Sequence, residues 1–540
     1  MSEKYNWRQK VLSLIWLTYC LSIPKTYFGD REFLEDFATR AIKANFADSQ
    51  VRDLIGVWEL VWGCAIYQKV TKTMSSNVND HTMYMAKYKG DPDCDRYVIA
   101  MAGTNPFSLQ NILVEDINVS RTSGWNNGQP WLSTEHFAED CGKPAVSNGI
   151  AAALKELTTA MWDGEKRILD YLTEITQSAT KPVEITVAGH SLAGAMAPSL
   201  GLSLVDRQAE WDPSKKATVK VVTLAGFTPG NAAFAEYYDA TLGANTDRLW
   251  NQIDVVPNVF EVEGLRKVAG IYSPSLWTSA SMAAVFKALE IASGPQNYTH
   301  ILRATPGIPS EFNPSFTIGN LDNDPDLKGV VLDMCAEMVA YPVLQEVQMI
   351  PLVPDSIKER LKVLVKEFGE EVREVLDELV TVGGDVEDLI TERLGDVLSQ
   401  ATGLPPSVLL FNAPPGLKKI LATEQLVNLI NYVLQLLYHH VWRYADYFEF
   451  TELDKRRQEI TARVAGEMEK KQAEVQPANT VIVNYGSAKK DDVDDLLNGE
   501  GKLLAGISGI MKNLKQAGQV SQSAQPVIFL VKKKKSDDTF

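Results

Sequence analysis

Cysteine and histidine are scarce in this chain, with five of the first and six of the second among 540 residues. Cys20, Cys64, Cys94, Cys141 and Cys335 are odd in number, far apart and without a Cys-x-x-Cys pair. That excludes a disulfide framework or a clustered thiolate metal site as the organising device, and the five read as reduced and mostly buried. Long apolar runs are missing too, since no stretch approaches the ~20 residues that a membrane-crossing helix requires. Positive charge is in deficit: 53 Lys and Arg against 69 Asp and Glu leave a net charge of -16. Such a balance argues against nucleic acid or an anionic membrane as a general partner. The run VLSLIWLTYCLSI at 11–23 follows Lys4, Arg8 and Lys10, but Glu3 precedes it and no small-residue cleavage pattern follows. It reads as a packed helix rather than a signal peptide, so the chain is expected in the cytoplasm or exported without a cleavable signal.

What the sequence does contain is enough apolar residue, 45%, for a sizeable core and a length suited to one large domain with additions. Residues 47–70 begin with an Asp-Ser cap signal and have the apolar spacing of a helix. The runs 82–90 and 96–103 flank an Asp-Pro-Asp-Cys-Asp turn and read as a hairpin. Strand-like and helix-like segments then alternate: helix 149–176, strand 183–188, helix 193–207, strand 218–225, helix 231–240, strand 247–253. Strands separated by helix-length segments predict an α/β fold with a mainly parallel sheet and helices on both faces. Beyond about 345 the pattern turns helical. Apolar residues from Leu361 to Leu379, and again from Val386 to Leu398 after Gly383-Gly384, recur at helical spacing. Four readings are open for this helical hairpin: packing on the enzyme body, a mobile lid, a membrane-contacting cap, or a partner surface. The domain map expected is a core over 1–345, the hairpin insertion or cap over 346–422, a last helical element of the catalytic domain over 423–450, and a charged helix and tail over 451–540. In that tail, Lys532 to Lys535 follow the apolar run PVIFLV and most simply guard an aggregation-prone strand.

The segment VEITVAGHSLAGAMAPSL at 183–200 carries the chemistry. An apolar strand stops at Gly189-His190-Ser191 and passes at once into small helix-compatible residues, the layout of a nucleophile elbow. A sharp turn there lifts a serine Oγ above the sheet, and the opening N–H groups of the helix favour developing negative charge. Ala193 stands where the Gly-x-Ser-x-Gly pattern has its second glycine. Gly189, Ala193, Gly194, Ala195 and Ala197 still supply the small residues that close strand–helix approach demands.

The stretch KPVEITVAGHSLAGAMA resembles the elbow of the class 3 lipases, the fungal-lipase-like branch of the α/β-hydrolases, whose usual form is close to T-G-H-S-L-G-G-A-L-A. Three further segments resemble that family in the same order. RYVIAMAGTNPFSLQNILVEDINV (96–119) is similar to its strand ending in Gly-Thr with a following W-x-x-D, Leu113 taking the tryptophan place and Asp116 the acidic one. KVVTLAGFTPGNAAFAEYY (220–238) is similar to T-F-G-x-P-R-V-G-N-x-x-F-A, and LWNQIDVVPNVF (249–260) to the V-N-x-x-D-x-V-P segment. The resemblance covers about 45 to 300 and implies an α/β-hydrolase fold with Ser191 as nucleophile and Asp254 as the acid that orients a histidine. It implies oxyanion donors at Thr104 and at the N–H of Leu192. Read without the family, Asp254 could be a turn residue before Pro257, and Thr104 a turn residue in Gly-Thr-Asn-Pro.

The hydrolase order Ser, Asp, His leaves His300, His439 and His440 as the base. Chain distance alone favours His300, in GPQNYTHILRATPG. The resemblance favours His440, because larger bacterial-type members end in something like L-Y-Q-H-V-x-x-Y, which Leu437, Tyr438, His440, Val441 and Tyr444 match with His439 in the glutamine place. The expectation taken forward is His440, which otherwise would be a polar position on an amphipathic helix. The implied activity is hydrolysis of acyl esters such as acylglycerols, with no metal or organic cofactor. A lipid or other acyl-ester substrate is expected as partner, with contact at a lipid interface and none with nucleic acid. Phospholipase A-type activity and a non-catalytic binding scaffold are the alternatives. The loop 121–147, with Trp125, Trp131 and Phe137, could meet acyl chains or cap the core.

Overall fold

The computed structural model describes residues 3–21, 30–68, 81–103, 119–348, 361–402, 405–406, 415–475, 480–484 and 525–529. They divide into two units, Met1–Val464 and Ala465–Phe540. Valine, isoleucine and threonine fill the central strands of the first unit, as expected where a strand is covered on both faces. Helices Trp7–Leu17, Arg31–Ala47 and Ser49–Ile55 come first, and three strands follow: β1 (Trp58–Tyr67), β2 (His81–Tyr88) and β3 (Asp95–Met101). A small sheet follows, made of β4 (Thr122–Gly124), β5 (His136–Phe137) and β6 (Ala145–Ser147). Then come β7 (Val183–His190), β8 (Ala217–Leu224) and β9 (Thr246–Leu249). The main sheet has the order β1-β2-β3-β7-β8-β9. Pairing is antiparallel from β1 to β3 and parallel from β3 through β7 and β8 to β9. Helices flank this sheet, giving an α/β fold whose central strands pair in parallel.

The helix expected over 47–70 is corrected. Ser49–Ile55 is helical, but Gly56 at φ 81 ends it, and the aromatic and β-branched run WELVWGCAIY becomes β1 against β2. The helix expected over 149–176 is broken into Asn148–Lys155, a π-helical turn Glu156–Ala160, and Ile168–Ser178. Asp163-Gly164, with Gly164 at φ 59, turns the chain between them. Helix Leu192–Asp206 follows β7 directly and is buried along most of its length.

The hairpin stripe is covered. Helix Leu361–Thr381 packs between helices Pro325–Gln348 and Glu387–Thr402. Phe368, Val372, Val375, Leu376, Leu379, Val386, Ile390 and Leu394 are buried in one continuous apolar cluster with the sheet core. Helix Pro325–Gln348 runs on through position 345 into the hairpin region. The last helical element expected over 423–450 is Thr423–Leu437, a π-helical turn Tyr438–Trp442, and Arg443–Tyr447. Within that turn the His439 carbonyl accepts from Asn251 at 3.1 Å and the His440 carbonyl meets His190 Nε2 at 2.7 Å. Among the described residues no helix is long and apolar enough to cross a membrane. Helix Thr451–Val475 starts in the first unit, where Leu453, Arg457, Ile460 and Val464 are buried. In the second unit, β10 (Thr480–Asn484) pairs in parallel with β11 (Gln525–Phe529), the strand part of PVIFLV. Lys532 to Lys535 lie outside the described residues.

Candidate active site

Backbone close approach shapes the turn after β7. A Cβ on Gly189 would lie 2.3 Å from the Ala193 carbonyl oxygen, and one on Gly194 would lie 2.4 Å from the Leu224 carbonyl oxygen, so both must be glycine. The turn forces Ser191 to φ 63 and ψ -125, a conformation that a side-chain-bearing residue adopts only under strain held by its surroundings. Its N–H is tied to the Leu224 carbonyl at 3.0 Å. The methyl of Ala193 fits beside Gly189, whose missing side chain leaves the room. Leu192 opens the following helix, and the first N–H groups of a helix have no acceptor within it.

Parallel pairing of β3 with β7 brings Met101 opposite Gly189. Gly103 therefore ends against the turn: a Cβ there would lie 2.6 Å from the His190 carbonyl and 2.8 Å from Ser191 Cβ. The next residue, Thr104, the expected oxyanion donor, lies outside the described residues, as do Leu113 and Asp116.

Three expected residues meet in the interior. His440 Nε2 is 2.8 Å from Ser191 Oγ, and His440 Nδ1 is 2.9 Å from one oxygen and 3.1 Å from the other of the Asp254 carboxylate. All three are buried. Asp254 also accepts the Val256 N–H at 3.0 Å and the Tyr444 hydroxyl at 3.0 Å, while the Asn251 N–H donates to Tyr444 Oη at 2.8 Å. With a carboxylate on Nδ1, the proton rests there and Nε2 keeps a lone pair facing the serine hydroxyl.

The other histidines differ. His300 is buried with Nε2 against the Pro257 carbonyl, and burial and Arg248 push its pKa well below the ordinary value. His439 has Asn251 on Nδ1 at 3.3 Å and, among the described residues, no hydrogen-bond partner on Nε2; burial lowers its pKa to about 4. Trp125 belongs to the core, donating to Asp206 at 2.6 Å and meeting Phe234 edge-on at 5.0 Å; Trp131 packs half-buried against the same core. Among the described residues no group of three or more His, Cys, Asp and Glu side chains gathers to hold a metal ion.

Sequence reasoning missed Tyr19 and His190, which adjoin this cluster, and gave no role to Asn251 or Tyr444. The Asn251 signal was present in LWNQIDVVPNVF. Tyr19 carried none, because nothing local to it marks a neighbour 171 residues away.

Residues 98–263 match the family described as Lipase (class 3), and residues 465–539 match a family of unknown function, DUF6200. No curated protein matches the chain. Among solved structures, the M37 lipase is 27% identical with a TM-score of 0.49, covering 61% of this chain and 93% of its own. A mutant form of MDLA from Penicillium cyclopium is 19% identical with a TM-score of 0.27, covering 47% of this chain and 75% of its own.

Proposed function

We propose, from the match of residues 98–263 to the class 3 lipase family and from the geometry of the site, that this chain is a lipase-type hydrolase that hydrolyses acyl esters such as acylglycerols through an acyl-enzyme on Ser191. The observation that carries the reading is the unbroken hydrogen-bond chain from Ser191 Oγ through His440 to the Asp254 carboxylate. A serine hydroxyl is a weak nucleophile until a base takes its proton, and His440 Nε2 stands at bonding distance to do so. The alkoxide attacks the ester carbonyl. The Leu192 N–H and Thr104 are assigned to the tetrahedral oxyanion, where each donor is worth about 2.7–4 kcal/mol of transition-state stabilisation. The imidazolium, held by Asp254, then protonates the leaving alcohol, and water repeats the sequence to release the acid.

Labelling with a fluorophosphonate and turnover of p-nitrophenyl esters of several chain lengths test the reading together. Ser191→Ala is expected to abolish the adduct, and His440→Ala to abolish turnover while His300→Ala retains it. Folded wild-type protein that forms no adduct on Ser191 would overturn the assignment.

A further inference from the structure

His190 precedes the nucleophile, and both of its ring nitrogens are engaged. Nε2 meets the main-chain carbonyl of His440 at 2.7 Å, and Nδ1 meets the Tyr19 hydroxyl. A carbonyl only accepts, so Nε2 carries the proton; the neutral ring then offers Nδ1 as an acceptor, and Tyr19 must donate to it. The Tyr19 hydroxyl oxygen in turn accepts the Gly103 N–H at 3.3 Å. Only one arrangement of protons satisfies this chain, which runs from Gly103 through Tyr19 and His190 to the carbonyl of His440. Burial keeps it so, raising the Tyr19 hydroxyl pKa and holding His190 well below the ordinary imidazole value.

Tyr19 is fixed from behind. Arg457 donates to its carbonyl at 3.1 Å, and Asp454 binds both Arg457 at 2.6 Å and Trp16 Nε1 at 3.0 Å. The His190 ring lies 4.7 Å from the His440 ring, tilted by 32°. Consecutive residues 190 and 191 therefore grip the main chain and the side chain of the same histidine.

We propose that Tyr19 and His190 are positioning residues that hold His440 at its working distance from Ser191 through the His440 carbonyl. This rests on the hydrolytic reading, in which His440 is the base. A base carried on a π-helical turn needs such a tether, because a displacement of the reacting groups of about 1 Å costs up to about a hundredfold in rate. A neutral His190 also places no charge beside the imidazolium that forms on His440.

The test compares Tyr19→Phe, His190→Leu and His190→Gln with wild type in p-nitrophenyl ester turnover and fluorophosphonate inactivation, with thermal melts confirming the fold. Tyr19→Phe and His190→Leu are expected to lower kcat and the inactivation rate by about ten- to a hundredfold, with KM within about twofold. His190→Gln, whose amide nitrogen can replace Nε2 as donor, is expected to recover most of the rate. The double variant Tyr19→Phe/His190→Leu should be no slower than His190→Leu, since both act through one carbonyl. Wild-type kcat in either single variant, a loss confined to KM, or a Gln variant as slow as Leu would each overturn the proposal. If His190→Leu does not fold, Tyr19→Phe and His190→Gln decide it. A wild-type protein without an adduct on Ser191 removes the hydrolytic reading itself, whereas a labelled wild type with equally fast variants removes only the positioning role.

Discussion

The two sides of the Ser191–His440 hydrogen bond are built by different means. On the serine side everything is local: β7, one forced turn and the helix that follows, with Gly189 and Gly194 allowing the backbones to touch. On the histidine side almost nothing is. His440 lies 249 residues further on and is fixed by Asp254, by Ser191 and by the His190 ring, while Tyr444 braces the carboxylate. A turn can be encoded in a dozen residues; a side chain delivered from a distant helix depends on every packing contact that sets that helix.

The largest effect that could break this contrast is exchange of His440, the proposed base. His440→Ala should lower kcat by about 10⁴-fold or more, measured on a soluble ester, and an equal loss in His300→Ala would make the distant placement irrelevant. Next comes Gly194→Ala, which tests whether the serine side is as rigid as it looks. The new Cβ would meet the Leu224 carbonyl and the Gly226 Cα, both backbone, and the same Leu224 carbonyl holds the Ser191 N–H. The helix must move off β8, at about 1–3 kcal/mol, and a thermal melt equal to wild type would contradict that rigidity. Tyr444→Phe sharpens the other side. It removes one donor from the buried Asp254 and leaves the Asn251 N–H without its acceptor, so kcat should fall about tenfold, or roughly 1.4 kcal/mol.

Chain neighbours His439 and His440 allow a finer test by pH. His439 is held neutral in the fold with a pKa of about 4 against about 6.5 in the unfolded chain. Its folded pKa is depressed, so the unfolded state binds the extra proton. The stability is present above about pH 6.5 and is lost as pH falls from there toward 4, where the folded protein takes up the proton as well. Thermal melts between pH 7.5 and 4.5 should therefore show a shallower decline in His439→Gln than in wild type. Identical slopes would mean that His439 does not titrate with unfolding.

Legibility in the sequence follows the same division. The alternating strands and helices and the turn at Ser191 could be read because strand composition and turn chemistry are written within a few residues, whereas Asp254 was singled out by the resemblance of the segment that carries it. Chain distance pointed to His300, and only the resemblance around Leu437-Tyr438 pointed to the residue that lies against Ser191. The π-helical turn was hidden because nothing within Tyr438–Trp442 marks it, and the groups that bind its carbonyls, Asn251 on His439 and His190 on His440, sit far away in sequence. Residues 47–70 misled for a related reason. Their apolar spacing suits a helix, and the neighbouring strand β2 with Gly56 decided otherwise. Trp125, which composition left open between substrate and core, is settled into the core by Phe234 and Asp206.

The smallest expected effect lies at Ala193, where the glycine of the usual pattern is absent. Its methyl is fully buried and rests beside Gly189, so the turn accepts it without the clash that a side chain at Gly189 or Gly194 would create. Ala193→Gly gives up one buried methyl and adds backbone freedom near a helix start, together about 1–2 kcal/mol. Turnover should stay within about twofold of wild type, because neither the Ser191 N–H bond to Leu224 nor the Oγ–Nε2 contact involves that methyl. A tenfold rise in kcat on this substitution would mean that the methyl distorts the turn, and that the serine side is adjusted from outside as the histidine side is.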